Sequence, residues 1–158
     1  PKLILADEPT SALDVTVQAQ VVQTLKELRD NFDTSIIMVT HNMGVVANIS
    51  DTIGVMYYGH LLELGPKIEI LKNPQHQYTK ELLKSIPTLN GDKPKGIDGK
   101  IPEFSSIVEG CPFYDRCTIS DAKCKTTKPK FTETSNGHFT SCLKYSYVET
   151  NTYLGEVL

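Results

Sequence analysis

The chain of 158 residues carries 16 basic and 19 acidic side chains, a net charge of −3, and is 39% hydrophobic. That suffices for one ordinary domain, or a modest domain with a small appendage, with a real core. The charge balance leaves no global field to draw nucleic acid or an anionic membrane surface, no apolar run approaches the roughly 18 residues of a membrane span, and nothing at the start reads as a secretory signal. A cytosolic location is expected.

The first residue is proline and a strand pattern is under way by Leu3, so the chain is expected to be the C-terminal part of something longer. Leu3-Ile4-Leu5-Ala6 is a continuous apolar run, the pattern of a strand buried on both faces of a parallel sheet. Val17, Val21, Leu25 and Leu28 then recur at helical spacing between Val15 and Phe32, with Asp14 placed to cap the helix. A second β-branched run from Thr34 to Thr40 precedes a short helix through Ile49 capped by Asn42. Strand, helix, strand, helix argues for an α/β sheet whose ligands sit at the carboxyl ends of the strands.

Asp51 to Gly65 reads as two strands turning at Tyr58-Gly59. "PKIEILKNP" and "QYTKELLKSIP" read as short helices, each closed by proline. The α/β part is expected to occupy residues 1–86, an irregular linker 87–110, and a separate cysteine-rich extension 111–158. The lysines Lys123, Lys125, Lys128 and Lys130 read as a solvated face, a weak footprint for nucleic acid.

Asp7 and Glu8 end the first strand. An aspartate there can hold Mg²⁺, and a glutamate beside it can orient a water aimed at a γ-phosphate. His41 ends the next strand and would share that sheet edge, where it can donate to a terminal phosphate. A plain acidic turn and a solvated histidine are the alternatives.

"LILADEPTSALDVTVQAQ" followed by "SIIMVTHNMGVV" resembles the second half of an ABC-transporter ATPase, in the branch that powers peptide and nickel importers. The resemblance spans nearly the whole chain. It implies the C-terminal part of a P-loop ABC ATPase, mostly parallel sheet with helices. It further implies Asp7 as a ligand of Mg-ATP, Glu8 as the residue that activates water, Ser11 to Asp14 as the D-loop touching a partner ATPase, and His41 as the switch histidine. The implied partners are a second homologous ATPase subunit, two membrane permeases and, indirectly, an extracytoplasmic peptide-binding protein, with no nucleic acid. The implied location is the cytoplasmic face of the membrane. "NPQHQYTKELLKSIP" resembles that branch's Asn-Pro-x-His-Pro-Tyr-Thr segment, with Gln77 in place of proline; His76 reads there as a surface helix start without chemistry.

Cys111, Cys117, Cys124 and Cys142 are the only cysteines, spaced C-x5-C-x6-C-x17-C. Four thiolates can hold zinc or an iron–sulfur cluster; reduced structural thiols and oxidation products are the other readings. The resemblance implies a [4Fe–4S] cluster, as a staple for a small tail or as a redox sensor. Arg116 and His138 stand near cysteines and are candidates to hydrogen-bond the sulfurs, with ordinary surface roles as the alternative.

The function expected is ATP hydrolysis that energises import of oligopeptides or dipeptides, these 158 residues alone being inactive because the glycine-rich phosphate loop and signature segment are absent from them. The alternatives are an ATPase of a nickel importer or of another ABC branch such as DNA repair, and a non-enzymatic metal or iron–sulfur module binding nucleic acid or an acidic partner through its lysine face.

Overall fold

A computed structural model describes residues 1–86, 96–99 and 109–145. Most of the expected linker, and the end of the expected extension from residue 146, lie outside them. The chain divides into two compact units, Pro1–Ser50 and Asp51–Leu158.

In the first unit, β1 (Leu3–Asp7) and β2 (Ser35–Val39) pair in parallel, from Leu3 opposite Ser35 to Asp7 opposite Val39. The crossover between them is α1 (Val15–Phe32). The Asp14 carboxylate accepts from the amides of Thr16 and Val17 at 2.9 and 3.0 Å, satisfying donors that the first turn leaves without partners. At the other end Asp33 takes a left-handed conformation, with φ 50° and ψ 40°, and stops the helix. Asn42 caps α2 (Met43–Ile49) by accepting from Gly44 and Val45. Val22 and Leu25 of α1 pack with Val45 and Ile49 of α2, against Ile36 and Met38 of β2.

One expectation for this unit is corrected. The strands are not buried on both faces: Leu3, Leu5, Ile37 and Val39 are exposed. Side chains alternate across a strand, and in this two-stranded sheet Ile36 and Met38 meet the helices while their neighbours point away.

The second unit corrects the expectation of a mostly parallel sheet. Its four strands, in the order β3 (Thr52–Tyr57), β4 (His60–Pro66), β6 (His138–Thr140), β5 (Thr132–Ser135), are antiparallel at each junction. Two tight turns impose this. Tyr58 and Gly59 have φ of 51° and 76°, the positive pair that a two-residue hairpin favours, and Asn136-Gly137 closes the second hairpin with φ 70° at the glycine. The sheet therefore draws its strands from both sides of residues 87–110. α3 (Lys67–Lys72) and α4 (Gln77–Lys84) follow β4, and α5 (Ala122–Thr126) lies within the cysteine-rich segment.

The core of this unit is aromatic. Phe113, between the first two cysteines, is fully buried with Tyr57 and Leu62. Its ring meets those of Tyr57 and Tyr78 at 5.4 and 5.3 Å, within the range of favourable aromatic pairing. The cysteine-rich segment thus shares its core with β3, β4 and α4.

Gly110 makes a close approach possible. A Cβ there would lie 2.3 Å from the Cys124 carbonyl oxygen and 2.5 Å from the Lys125 backbone, and neither is the tip of a flexible side chain. Gly110→Ala is expected to destabilise the chain by about 3 kcal/mol or more, whereas Gly96→Ala, where a Cβ meets nothing within 4 Å, should change stability by less than about 0.5 kcal/mol. Denaturant melts of the two variants check this; equal stabilities would contradict the packing described.

Candidate functional site

The first cluster of reactive side chains stands where β1 and β2 end. Parallel register places Asp7 beside Val39, so Glu8 and His41 leave the same edge. The Glu8 amide donates to the Val39 carbonyl at 2.8 Å, and Glu8 takes φ 44°, a left-handed conformation uncommon for a glutamate. Its carboxylate accepts from the His41 amide at 3.2 Å and meets His41 Nδ1 at 2.7 Å. An ionised carboxylate only accepts, so Nδ1 carries a proton and Nε2 is left for something else. The His41 side chain is 83% exposed.

Asp7 is exposed, and its carboxylate has no partner among the described residues. The Ser11 amide donates to the Glu8 carbonyl at 3.0 Å, closing a turn that carries Ala12 at φ 61° and delivers Asp14 to the cap of α1. The structure thus brings Glu8 and His41 into contact, sets Asp7 on the adjoining strand end, and gives Asp14 a capping role.

The second cluster is the cysteine cavity. All four cysteines are free thiols, and Cys111, Cys117, Cys124 and Cys142 line one small cavity together with His76, Gln77, Ser120 and Lys144. The Cys111 amide donates to the Cys124 carbonyl at 2.8 Å, which the bare Cα of Gly110 allows. Burial pushes the Cys111 thiol up to about 11, opposed by the Phe113 amide donating to its sulfur. Cys117 and Cys142 are likewise raised by burial, opposed by amides of Ile119 and Ser120 for the one and of Lys144 for the other. Amides aimed at sulfurs suit thiolates, whereas partial burial disfavours thiolates that no cation offsets.

A single zinc would draw four sulfurs to about 2.3 Å from one centre. Among the described residues no three His, Cys, Asp or Glu side chains gather closely enough to hold a metal ion. Four cysteines lining a common cavity are the ligand complement of a zinc ion or of a [4Fe–4S] cluster.

Neither Arg116 nor His138 serves the sulfurs. Arg116 donates to the carbonyls of Ile97 and Asp98 at 2.7 and 3.0 Å and to the Tyr57 hydroxyl at 3.3 Å, its guanidinium over the rings of Tyr57 and Phe113. His138, fully buried, donates from Nε2 to Glu63 at 2.7 Å.

Glu63 is the hub that sequence reading missed. Fully buried on β4, its carboxylate also accepts from the amides of Gln75 and His76 at 2.7 and 3.0 Å. The Gln75 side chain reaches His138 Nδ1 and accepts from the Thr134 hydroxyl. One carboxylate thereby joins β4, β6 and the turn before α4. The signals available were a glutamate inside an apolar strand and the Asn136-Gly137 hairpin pattern before the last cysteine.

The reading of His76 is corrected as well: it is 2% exposed, not on the surface. Its Nδ1 accepts from the Tyr78 amide at 3.1 Å and caps α4, and its ring lines the cysteine cavity. Burial holds its pKa down to about 4, with the Glu63 charge opposing.

Residues 62–124 match the family described as the oligopeptide/dipeptide transporter, C-terminal region. A dipeptide transport ATP-binding protein of Bacillus subtilis is 44% identical over 144 residues, 90% of this chain and 43% of that protein. An oligopeptide transport ATP-binding protein of the same organism is 40% identical over 92% of this chain and 46% of its own length. A Haemophilus influenzae oligopeptide transport ATP-binding protein is 44% identical over 90% and 44%. Over about nine-tenths of its length this chain is similar to oligopeptide and dipeptide transport ATP-binding proteins. It spans less than half the length of these curated relatives. The matched segment holds Glu63, His76, Phe113 and three of the cysteines, whereas His138 and Cys142 lie beyond it.

Two predictions follow from the hub and the cap. Glu63→Ala leaves two buried amides and His138 without their acceptor and should cost about 3–5 kcal/mol; in a double-mutant cycle with His138→Ala the losses should be clearly less than additive, and additive losses would contradict the pairing. For His76 the folded pKa lies below the ordinary 6.5, so the unfolded chain takes the proton more readily. Stability from this group is complete above pH 6.5 and is lost as pH falls toward about 4. Denaturant melts of the metal-free chain across that window should show the decline, and His76→Asn should flatten it.

Proposed function

We propose that this chain is the C-terminal part of an ATP-hydrolysing subunit that energises peptide import through an ABC transporter. The observation that carries the reading is the Glu8–His41 pair at the carboxyl ends of adjacent parallel strands, joined at 2.7 Å. In this reading Glu8 orients the attacking water, and Asp7, whose carboxylate is uncommitted, contributes to holding the nucleotide's Mg²⁺. Bound Mg²⁺ neutralises charge developing on the phosphates. With Nδ1 given to Glu8, His41 donates to a phosphate oxygen through Nε2, which requires the imidazolium.

The exposed apolar row of Leu3, Leu5, Ile37 and Val39 supports membership of a larger sheet, because parallel strands are ordinarily covered on both faces. The relatives' names favour peptides over nickel as cargo. The proposed partners are a second homologous ATPase, touched by the Ser11 to Asp14 turn, two permease subunits and, through them, a peptide-binding protein. No helix among the described residues is long and apolar enough to cross a membrane, which suits peripheral attachment at the cytoplasmic face.

The cofactor proposed for the second unit is a [4Fe–4S] cluster on Cys111, Cys117, Cys124 and Cys142. When bound, it would supply a positive iron core that offsets four thiolates and can carry one electron. The chain's own part is to aim the amides of Phe113, Ile119, Ser120 and Lys144 at three of the sulfurs and to wall the cavity with buried side chains.

Glu8→Gln in the complete subunit tests the reading. It should lower ATP hydrolysis by about 10²–10⁴-fold while Mg-ATP binding by calorimetry persists; unchanged hydrolysis would overturn the assignment. The 158 residues contain no G-x-x-x-x-G-K-[ST] loop, so calorimetry on this chain alone should show no tight Mg-ATP binding.

A further inference from the structure

The segment from Asn73 to Tyr78 has a place in the fold but, so far, no chemistry. Both its flanks are anchored. The amides of Gln75 and His76 are held by Glu63, and Gln77 Nε2 donates at 3.1 Å to the hydroxyl of Thr118, in the loop between Cys117 and Cys124. Between these anchors the His76 ring lines the cavity that the four cysteines share.

Its protonation follows from its partners. Nδ1 accepts from the Tyr78 amide, so a neutral ring carries its proton on Nε2. No described residue accepts from Nε2. The cavity that buried His76 lines is walled by the four cysteines, with Gln77, Tyr114, Ser120 and Lys144 as its other polar residues, so the sulfurs are the acceptors that a group bound there would bring closest to hand.

We propose that His76 is a positioning residue for the group held by the four cysteines, its Nε2–H donating to a sulfur of that group. This rests on the reading of the cavity as a cluster site. A hydrogen bond to a cluster sulfur withdraws negative charge and favours the reduced state, so it raises the reduction potential. The cap and the donor are separate functions on two nitrogens of one ring, and substitutions can separate them. His76→Asn keeps a short acceptor for the Tyr78 amide, as good capping residues do, and loses the donor. His76→Gln keeps an amide N–H near the position of Nε2 and loses the short cap.

The test uses the 158-residue chain, reconstituted anaerobically with ferrous iron and sulfide, followed by metal and sulfide analysis and a potentiometric titration. Wild type and His76→Gln should share a midpoint, with His76→Gln the less heat-stable. His76→Asn should retain the cluster with its reduced form disfavoured about tenfold, a midpoint lower by about 59 mV for one electron. An His76→Asn midpoint equal to that of wild type would overturn the proposal. Should His76→Asn fail to fold, isotopically labelled histidine in the wild-type chain gives a second readout: pulsed paramagnetic resonance of the reduced cluster should detect one coupled imidazole nitrogen, and absence of that coupling would overturn it equally. A wild-type chain that binds no iron and sulfide would instead overturn the cluster reading beneath it.

Discussion

The second unit depends on one buried carboxylate. Glu63 accepts from two consecutive main-chain amides and from His138, three donors brought from two distant parts of the sequence. A carboxylate moved out of water is tolerated only when its lone pairs are filled in this way. Filling them fixes where β6 lies against β4 and where the turn before α4 lies against both. The register follows, with Glu63 opposite Thr140 and Leu64 opposite Phe139. Gly65 completes the fit, since a Cβ there would approach His138 to 3.0 Å.

From that hub the reach to the cysteine cavity is short. The amide that Glu63 holds belongs to His76, whose ring lines the cavity, and Gln77 beside it is tied to Thr118. On the other side Phe113 is wedged among Tyr57, Leu62 and Tyr78, and Gly110 lets the chain pass against the Cys124 carbonyl. Two apolar and two polar devices therefore hold the cysteines, and none of them is a cysteine. A site whose walls are part of a shared core needs less from its ligand than one in which the ligand is the core.

In the first unit the helices, their caps and the strand order were legible in the sequence, while the one-sided burial of the strands was not. The α1 and α2 boundaries, their Asp14 and Asn42 caps, and the placing of Glu8 and His41 on one sheet edge follow from local patterns: apolar period, capping chemistry and a parallel crossover. The second unit was legible only where turns are local, as at Tyr58-Gly59. Glu63 sits in "HLLELG", which reads as any half-polar strand, and what makes it central is a histidine 75 residues later. His76 was misjudged for a related reason: "QHQ" looks solvated, and only tertiary structure reveals that the histidine faces inward. The extension expected from residue 111 shares a sheet and an aromatic core with β3 and β4, because nonlocal strand pairing leaves no periodic trace.

The central claim is that the cysteine-bearing segment and the β3–β4 ribbon form one cooperative body. Native-state hydrogen exchange addresses it directly, because segments that open together share one opening free energy. The amides of Cys111 and Ser141, bonded to the carbonyls of Cys124 and Leu62, should exchange through the same opening as the ladder amides of β3 and β4, with the same denaturant dependence. Exchange of the Cys111 amide through a separate opening of lower free energy, while β3 and β4 stay protected, would contradict the account.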